Sequence, residues 1–197
     1  MDKSTVWVMD QPKPSQLPTA AESRPDNVPL TVRRFLTGDS IEEITHLLHR
    51  AYARQKAIGL DPLAGRQDYA RTLDRVINSE CYLAFMDHEQ DTQRIVGVVL
   101  LNEHEQVTFP DYFLREGVAH FAMFAVDPTL QAIGVGTRLL DTCTRRAREL
   151  GNTQLALSMA RPDAALLRYY QRRGYEQVQD WQWPYTNYVS LILARDI

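Results

Sequence analysis

Apolar and polar positions along residues 30–197 form blocks that predict alternating strands and helices. Short apolar or alternating runs have the length and residue types of β-strands. These runs are residues 30–35, 81–86, 94–101, 120–126, 153–159, 175–178 and 188–194. Apolar residues at helical spacing predict helices from residue 39 or 40 to about 59, from 67 to 78, across 139–150, and from 162 or 163 to 173. The order is therefore β-α-α-β-β-β-α-β-α-β-β.

Local signals support the two predicted helices nearest the start of this region. Ser40 and Glu43 have the spacing of a capping box, in which the serine side chain satisfies a free amide of the first turn. Four residues of the second helix are predicted to point inward: Tyr69, Leu73, Val76 and Ile77. The runs at 81–86 and 94–101 are predicted to form an antiparallel hairpin in the centre of the sheet.

Residues 1–29 differ in composition from the rest of the chain. Five prolines lie among polar residues, which predicts an irregular extension without a core of its own. The net charge of −3 gives no electrostatic attraction to nucleic acid or to an anionic membrane. Cys81 and Cys143 lie in apolar segments and are predicted to be core residues. No run approaches the ~20 apolar residues of a membrane span, and no signal pattern is seen, so we expect a cytoplasmic protein.

Residues 120–137 carry the strongest chemical signal in the chain. An apolar strand ends at Asp127-Pro128, and Gln131-x-x-Gly134-x-Gly136 then leads into a helix. A strand, a glycine-rich turn and a helix together form a typical phosphate-binding unit, because backbone N–H groups of the first helical turn can point at an anion. The turn lacks the third glycine of a dinucleotide fingerprint and the Gly-Lys-Ser/Thr ending of a P-loop. An ordinary strand-to-helix turn is the alternative interpretation.

Two motifs in this order resemble those of the GNAT N-acetyltransferase family. Residues 126–136 are similar to the family's Val-x-Pro-x-x-(Gln/Arg)-x-x-Gly-x-(Gly/Ala) motif, and residues 167–176 resemble its Tyr-x-x-x-Gly-(Phe/Tyr) element. The resemblance covers roughly residues 30–197. It implies an α/β (α+β) fold with a twisted mixed sheet of about seven strands and about four helices. It also implies acetyl-CoA as cosubstrate.

The resemblance assigns the parts of acetyl-CoA to two segments. The pyrophosphate is expected at the backbone amides of the turn, with a further contact from the Thr137 hydroxyl. Those residues are Gln131, Ala132, Ile133, Gly134, Val135, Gly136 and Thr137. The pantetheine arm is expected to pair, like an added strand, with the end of the preceding strand. That end consists of Phe124, Ala125 and Val126.

Tyr170 occupies the place that the family gives to the tyrosine that protonates the departing thiolate. A phenol with a pKa of about 10 is a suitable donor to a thiolate whose thiol pKa is about 8.5. Tyr169 is expected to point about 100° away around the helix and to be structural. Asp163 stands where many relatives carry asparagine, and it is expected to cap the helix.

The general base is the least defined part of the predicted site. His120 begins the strand of the motif, and some relatives relay the amine proton through a histidine on this strand. A two-residue period would put His120, Ala122, Phe124 and Val126 on one face. A structural, hydrogen-bonded histidine is the alternative. The competing bases are Glu103, His104, Glu105 and Asp111, and a water chain would also serve.

The aromatic segment Asp180–Tyr188 and the loop between the first two helices are expected to wall the acceptor site. The aromatics would form a pocket for an apolar amine or, alternatively, a homodimer contact. His46, His49 and His88 have no partners at metal-ligand spacing, so no metal is expected. The predicted function is acetylation of a primary amine of a small molecule by direct attack in a ternary complex. A protein or peptide N-acetyltransferase and a non-catalytic acyl-CoA sensor are the alternatives.

Overall fold

The computed structural model describes residues 30–88, 92–104 and 107–197. The predicted extension at residues 1–29 and the candidate base Glu105 lie outside the described residues. Seven strands are formed: β1 Leu30–Arg34, β2 Glu80–His88, β3 Thr92–Leu101, β4 Val118–Val126, β5 Gln154–Ala160, β6 Glu176–Trp181 and β7 Ser190–Asp196. The α-helices of the described part are α1 Ile41–Ala57, α2 Tyr69–Ile77, α3 Val135–Glu149 and α4 Ala164–Gln171. The predicted order of elements and the mixed α/β class are confirmed.

The strands form one sheet in the order β1-β2-β3-β4-β5-β7-β6. Its neighbours are antiparallel except for β4 and β5, which run parallel. The predicted hairpin of β2 and β3 is present, but β4 rather than the hairpin takes the central place. α3 and α4 pack on one face of the sheet, and α1 and α2 pack on the other. Both cysteines are buried and unbonded, as expected. Within the described residues, no helix combines the length and the apolarity that a bilayer crossing requires.

β4 and β5 separate partway along their length. Their pairing runs only from Val118–Gln154 to Phe121–Leu157. β4 continues to Val126, and over residues 122–126 its edge toward β5 has no strand beside it. The separation of these two strands therefore opens a groove in the middle of the sheet.

A β-bulge in β4 changes which side chains share a face. Val98 pairs with Ala125 and Leu100 with Ala122, so β4 carries one extra residue opposite β3. Met123 takes a positive φ of 47° at this point. Because a bulge adds one residue, the alternation of faces reverses across it. The expected shared face of His120 and Phe124 is therefore wrong.

Contacts of the aromatic rings show this reversal directly. The His120 ring stacks on Phe113 with centroids 4.5 Å apart, on the side of the sheet that carries residues 109–113. Phe121 and Phe124 instead contact each other at 5.9 Å, on the side covered by α4. The histidine and the end of β4 thus face opposite layers.

The start of α1 follows the predicted cap in part. Ser40 accepts a hydrogen bond from the Glu43 amide at 3.1 Å. The Glu43 carboxylate does not complete the box but accepts from the backbone amide of Ile95 at 2.8 Å. This bond attaches the first turn of α1 to β3, so the glutamate contributes to packing between layers.

The inward face of α2 differs from the prediction. Val76 is buried and Leu73 is half-buried, as expected, but Tyr69 and Ile77 are 54% and 62% exposed. The buried face also includes Arg75, because this guanidinium reaches a buried carboxylate. Ile77 lies about 200° around the helix from Arg75 and therefore faces out. The rotation of this short helix therefore buries Arg75 together with Thr72 and Val76.

Candidate functional site

The groove between β4 and β5 forms a cavity with a volume of about 860 Å³. Its walls come from β4, the turn after it, the start of α3, β5, α4 and the inner face of α1. Most of the residues predicted to bind the cosubstrate line it: Phe124, Ala125, Val126, Gln131, Ala132, Gly134, Gly136 and Thr137. Ile133 is exposed to solvent, and the Val135 side chain lies in the core. The contacts expected from Ile133 and Val135 are made by the main chain, so the positions of their side chains do not affect them.

The turn after β4 is fixed by Asp127. Its carboxylate accepts hydrogen bonds from the Thr129 amide at 3.1 Å and the Thr129 hydroxyl at 2.7 Å. Arg50 of α1 approaches it to 3.1 Å and Arg94 of β3 to 3.5 Å. Burial disfavours the charge, but these bonds still hold the pKa of Asp127 below its usual value. The turn is therefore attached to α1 and to β3 before α3 begins.

The N-terminus of α3 presents free backbone donors. Gly134 is the N-cap, with φ of 98°, and no side chain caps the helix. The first hydrogen bond of this helix runs from the Arg138 amide to the Gly134 carbonyl at 3.0 Å. The amides of residues 135–137 consequently have no partner within the helix. A Cβ on Gly136 would lie 3.1 Å from the Phe124 ring, so glycine keeps the approach to these amides open.

These features fit a diphosphate, because an anion is stabilised by unpaired amides and by the positive end of a helix dipole. The open edge of β4 at residues 122–126 equally fits an extended, amide-bearing chain. The Phe124 carbonyl lies 3.4 Å from the Tyr52 hydroxyl, which comes from α1. The residues present can therefore hold both parts of a coenzyme A molecule.

Tyr170 lies on α4 with its ring against the splay of the strands. It is buried, contacts Phe121 at 6.2 Å and Tyr175 at 5.6 Å, and lines the groove. Burial raises the pKa of its phenol well above the usual value, and the neighbouring tyrosines add to this shift. The hydroxyl therefore stays protonated at ordinary pH and is available as a proton donor.

Tyr169 does not point away from the groove as expected. It also lines the cavity, and its hydroxyl lies 3.5 Å from the place that a Cβ on Gly136 would occupy. Arg173 covers the Tyr169 ring at 3.6 Å. The two tyrosines form an edge-to-face pair at 5.2 Å, and both line the groove.

Asp163 caps α4, as predicted, by accepting from the Leu166 amide at 3.1 Å. It also pairs with Arg54 through both carboxylate oxygens, at 2.7 and 2.5 Å, and accepts from Gln55 at 3.2 Å. Although burial opposes ionisation, the bonds from Arg54 and the Leu166 amide keep its pKa below the usual value. This pair, which the sequence did not reveal, joins α1 to the helix that carries Tyr170.

A second, smaller cavity of about 120 Å³ lies beside the groove. The two cavities share walls at residues 121–123 and at 158–159. The second is lined by aromatic side chains and by the loop after α1. The aromatic members are Tyr52, Phe109, Phe113, Phe121, Trp183, Tyr185 and Tyr188. The aromatic segment and the loop thus lie together, as the sequence predicted.

His120 lines this second cavity. Its Nε2 lies 3.2 Å from the Glu103 carbonyl oxygen, and its ring stacks on Phe113. Burial lowers the pKa of His120 to about 4, although the nearby Glu103 charge opposes the shift. The imidazole is therefore neutral at pH 7 and is a weak base.

Glu103, one of the competing bases, is held in a buried ion pair. Arg75 bonds to both of its carboxylate oxygens, one of them at 3.0 Å, and also donates to the Gln67 side chain at 2.7 Å. His104 and Asp111, the other described candidates, are exposed. Sequence reasoning missed Arg75 and Gln67. The one signal in the sequence was the position of Arg75, a cation that lies between Thr72 and Val76 on the inward side of α2.

In this mixed sheet the central parallel strands separate, and a glycine turn and the free amides of a helix lie at the opening. This combination defines the class of acyl-CoA-dependent N-acyltransferases. Sequence comparison agrees, since residues 41–175 match the acetyltransferase (GNAT) family. The chain belongs to this family and is an acetyl-CoA-dependent N-acetyltransferase. Among the described residues, no group of three or more His, Cys, Asp or Glu side chains is arranged to hold a metal ion.

Individual relatives support the same assignment. The chain is 28% identical over 138 residues to S-(2-succino)cysteine N-acetyltransferase of Bacillus subtilis, covering 68% of this chain and 77% of that protein. The fold is similar to PaiA N-acetyltransferase of Thermoplasma acidophilum in complex with coenzyme A, with a TM-score of 0.64, 12% identity, and coverage of 86% and 99% of the two chains. It is also similar to a GNAT acetyltransferase of Elizabethkingia anophelis with acetyl-CoA bound, with a TM-score of 0.56, 16% identity, and coverage of 85% and 98%.

Proposed function

We propose that this enzyme transfers the acetyl group of acetyl-CoA to a primary amine of a small molecule, by direct attack in a ternary complex. The observation that carries this proposal is the meeting of two cavities. A long groove suited to the cosubstrate and a small aromatic cavity share walls at residues 121–123 and 158–159. Two substrates bound in these two cavities would meet at the shared walls.

The donor side follows from backbone geometry. The amides of residues 135–137 bind the diphosphate, and the open edge of β4 aligns the pantetheine arm. Acetyl-CoA supplies an activated thioester. The Asp127 carboxylate holds the turn, and the Asp163–Arg54 pair holds α4 against α1. These contacts support catalysis by positioning the turn and the helix that carries Tyr170, since positioning lowers the entropic cost of reaction.

Tyr170 acts as the proton donor to the departing thiolate. Its phenol is buried, lines the groove and is protonated, so it can donate to the thiolate as that charge forms. His120 is the proposed acceptor of the amine proton, because it lines the cavity in which the amine would bind. Its lowered pKa makes it a weak base, so the proton would be relayed directly to solvent.

Hydrogen bonds between the two loops beside the aromatic cavity favour a small acceptor over a peptide. Arg66 donates to the Tyr185 carbonyl at 2.6 Å, and the Asp61 amide donates to the Asn187 side chain at 2.8 Å. Asn187 in turn donates to the Gly59 carbonyl at 2.9 Å. These bonds tie the loop after α1 to the loop before β7. A polypeptide needs an open path, whereas the curated relative named above acts on a cysteine derivative.

An acceptor panel tests this proposal. The full chain is incubated with acetyl-CoA and either small primary amines or peptides that carry one free α-amine or one free lysine, and products are identified by mass spectrometry. We expect acetylated small amines and coenzyme A in equal amounts. A higher kcat/KM for a peptide, or binding of acetyl-CoA without any acetylated product, would contradict the proposal. Tyr170→Phe is the catalytic control, since it removes the proton donor and keeps the ring.

A further inference from the structure

His120 is held by the segment that leaves the end of β3. The backbone amide of Asn102 donates to the His120 carbonyl at 2.8 Å, and the Asn102 side chain accepts from the His120 amide at 3.2 Å. Asn102 takes a positive φ of 50°, which asparagine tolerates better than most residues. Glu103 follows, and its carbonyl oxygen lies 3.2 Å from Nε2 of the same histidine. Both the backbone and the ring of His120 are therefore bonded to this segment.

The partner of Nε2 fixes the tautomer of the His120 ring. A carbonyl oxygen can only accept a hydrogen bond, so in the neutral imidazole Nε2 carries the proton and Nδ1 carries the lone pair. Phe113 lies flat on the ring, with centroids 4.5 Å apart and an interplanar angle of 5°. Phe109 contacts the ring at 5.5 Å. These contacts hinder rotation of the ring, so its tautomer and its orientation are set together.

Arg75 of α2 holds Glu103 through a buried polar network. The guanidinium bonds to both oxygens of the Glu103 carboxylate, a geometry that adds directional specificity to the attraction of the charges. It also donates to the Gln67 side chain at 2.7 Å, and Gln67 donates to the Thr72 hydroxyl at 2.9 Å. The hydroxyls of Thr72 and Thr45 lie 2.9 Å apart, and all five side chains are buried. This network connects α1 and α2 to the residue that bonds the histidine.

The Glu103 carboxylate also acts on the charge of His120. Burial lowers the pKa of the imidazole, and the negative charge of Glu103 opposes that shift, whereas His104 adds to it. Arg75 is the cation that pairs with this carboxylate from α2. The anion that favours protonation of His120 therefore has its position set by Arg75.

We infer, building on the proposed function, that Arg75 is a positioning residue for acetyl transfer: through Glu103 it keeps His120 in the orientation in which Nδ1 accepts the proton of the amine. The amine nitrogen forms a bond to the thioester carbonyl carbon, and the C–S bond breaks. The proton that the nitrogen loses goes to Nδ1 and then to solvent. The thiolate takes the phenolic proton of Tyr170, which solvent replaces, so the products are the amide and the thiol of coenzyme A.

Nitrogen-15 NMR of the histidine rings tests the tautomer without turnover. The His120 signals of the full chain are assigned by their absence from His120→Gln. At pH 7 they should show a protonated Nε2 and an unprotonated Nδ1. His46, an exposed residue of α1, is the internal reference and should give signals averaged over its forms. A protonated Nδ1 in His120, or averaged signals from both of its tautomers, would overturn the inference.

Arg75→Met tests the positioning step, because it removes the guanidinium and keeps an unbranched side chain. We expect kcat to fall by about ten- to a hundredfold and the His120 signals to become averaged. The KM for acetyl-CoA should not change, since Arg75 does not line the groove. Arg75→Lys keeps a cation opposite Glu103 and should recover most of kcat. Arg146→Met is the matched control: Arg146 bonds to Glu80 at 2.8 and 3.1 Å, away from both cavities, so kcat and the His120 signals should stay as in the wild type.

The outcomes separate this inference from the proposed function. Unchanged kcat and unchanged ring signals in Arg75→Met overturn the positioning role, while acetylation of small amines by the wild type still supports the proposed function. A wild type that has the assigned tautomer but acetylates no small amine overturns the proposed function, and with it the role of Arg75 in acetyl transfer. The wild-type spectrum can overturn the inference even if Arg75→Met fails to fold.

Discussion

Lowering the pH from 7 to 5 is expected to destabilise the fold through His120. Burial lowers the pKa of this histidine to about 4, whereas an unfolded histidine has a pKa of about 6.5. Between these values the unfolded chain binds a proton that the folded chain does not. Stability therefore rises with pH across this window and falls on acidification. Integration between pH 7 and pH 5 gives a loss of about 2 kcal/mol in the free energy of unfolding.

Urea denaturation at the two pH values measures this loss. His120→Gln should remove most of it, because glutamine can still donate to the Glu103 carbonyl and does not titrate. His46→Gln is the control, since His46 is an exposed residue of α1, and this variant should keep the wild-type pH dependence. Most carboxylates remain ionised at pH 5 and contribute little to the difference. If His120→Gln and the wild type lose the same stability, the reasoning about the buried imidazole is wrong.

Three further predictions concern the groove and its supports. Tyr170→Phe should lower kcat by roughly 10²- to 10⁴-fold without weakening acetyl-CoA binding in calorimetry. Tyr169→Phe should retain most of kcat. Equal losses of kcat in the two variants would argue against a proton-donor role for Tyr170. Gly97→Ala should lower the free energy of unfolding by about 1–3 kcal/mol in chemical denaturation, because the new Cβ would lie 2.8 Å from a leucine methyl of α3. Gly38→Ala is the control: its Cβ meets no atom within 4 Å, so its free energy of unfolding should be nearly unchanged. Asp163→Asn should keep the cap of α4 but lose its ion pair with a half-exposed arginine, which costs about 1 kcal/mol at pH 7. That difference should shrink in unfolding curves as the pH falls through the lowered pKa of the folded carboxylate; a difference that persists once this carboxylate is protonated would mean that the ion pair is not its source.

The parts of the fold that local sequence determines were predictable. The turn at residues 131–137 carries its glycines at the helix N-terminus, and Ser40 caps α1 as its spacing indicates. Buried strands and amphipathic helices have periodicities that a single chain displays. Asp163 likewise is a residue type that commonly caps helices, and it caps α4.

Features that depend on distant pairing were not predictable in the same way. The bulge at Met123 exists only relative to β3, so the sequence gives no sign that His120 and Phe124 face opposite layers. Arg75 looks like a solvated charge on a short helix until Glu103, 28 positions away, is placed beside it.

The most direct test of the account is a crystal structure of the chain with coenzyme A. We predict that the diphosphate lies on the amides of residues 135–137, that the pantetheine arm runs beside Phe124–Val126, and that the thiol sulfur is within hydrogen-bonding distance of the Tyr170 hydroxyl. A thiol located away from Tyr170, or a pantetheine arm outside the gap between β4 and β5, would contradict the proposed arrangement of donor, acid and acceptor.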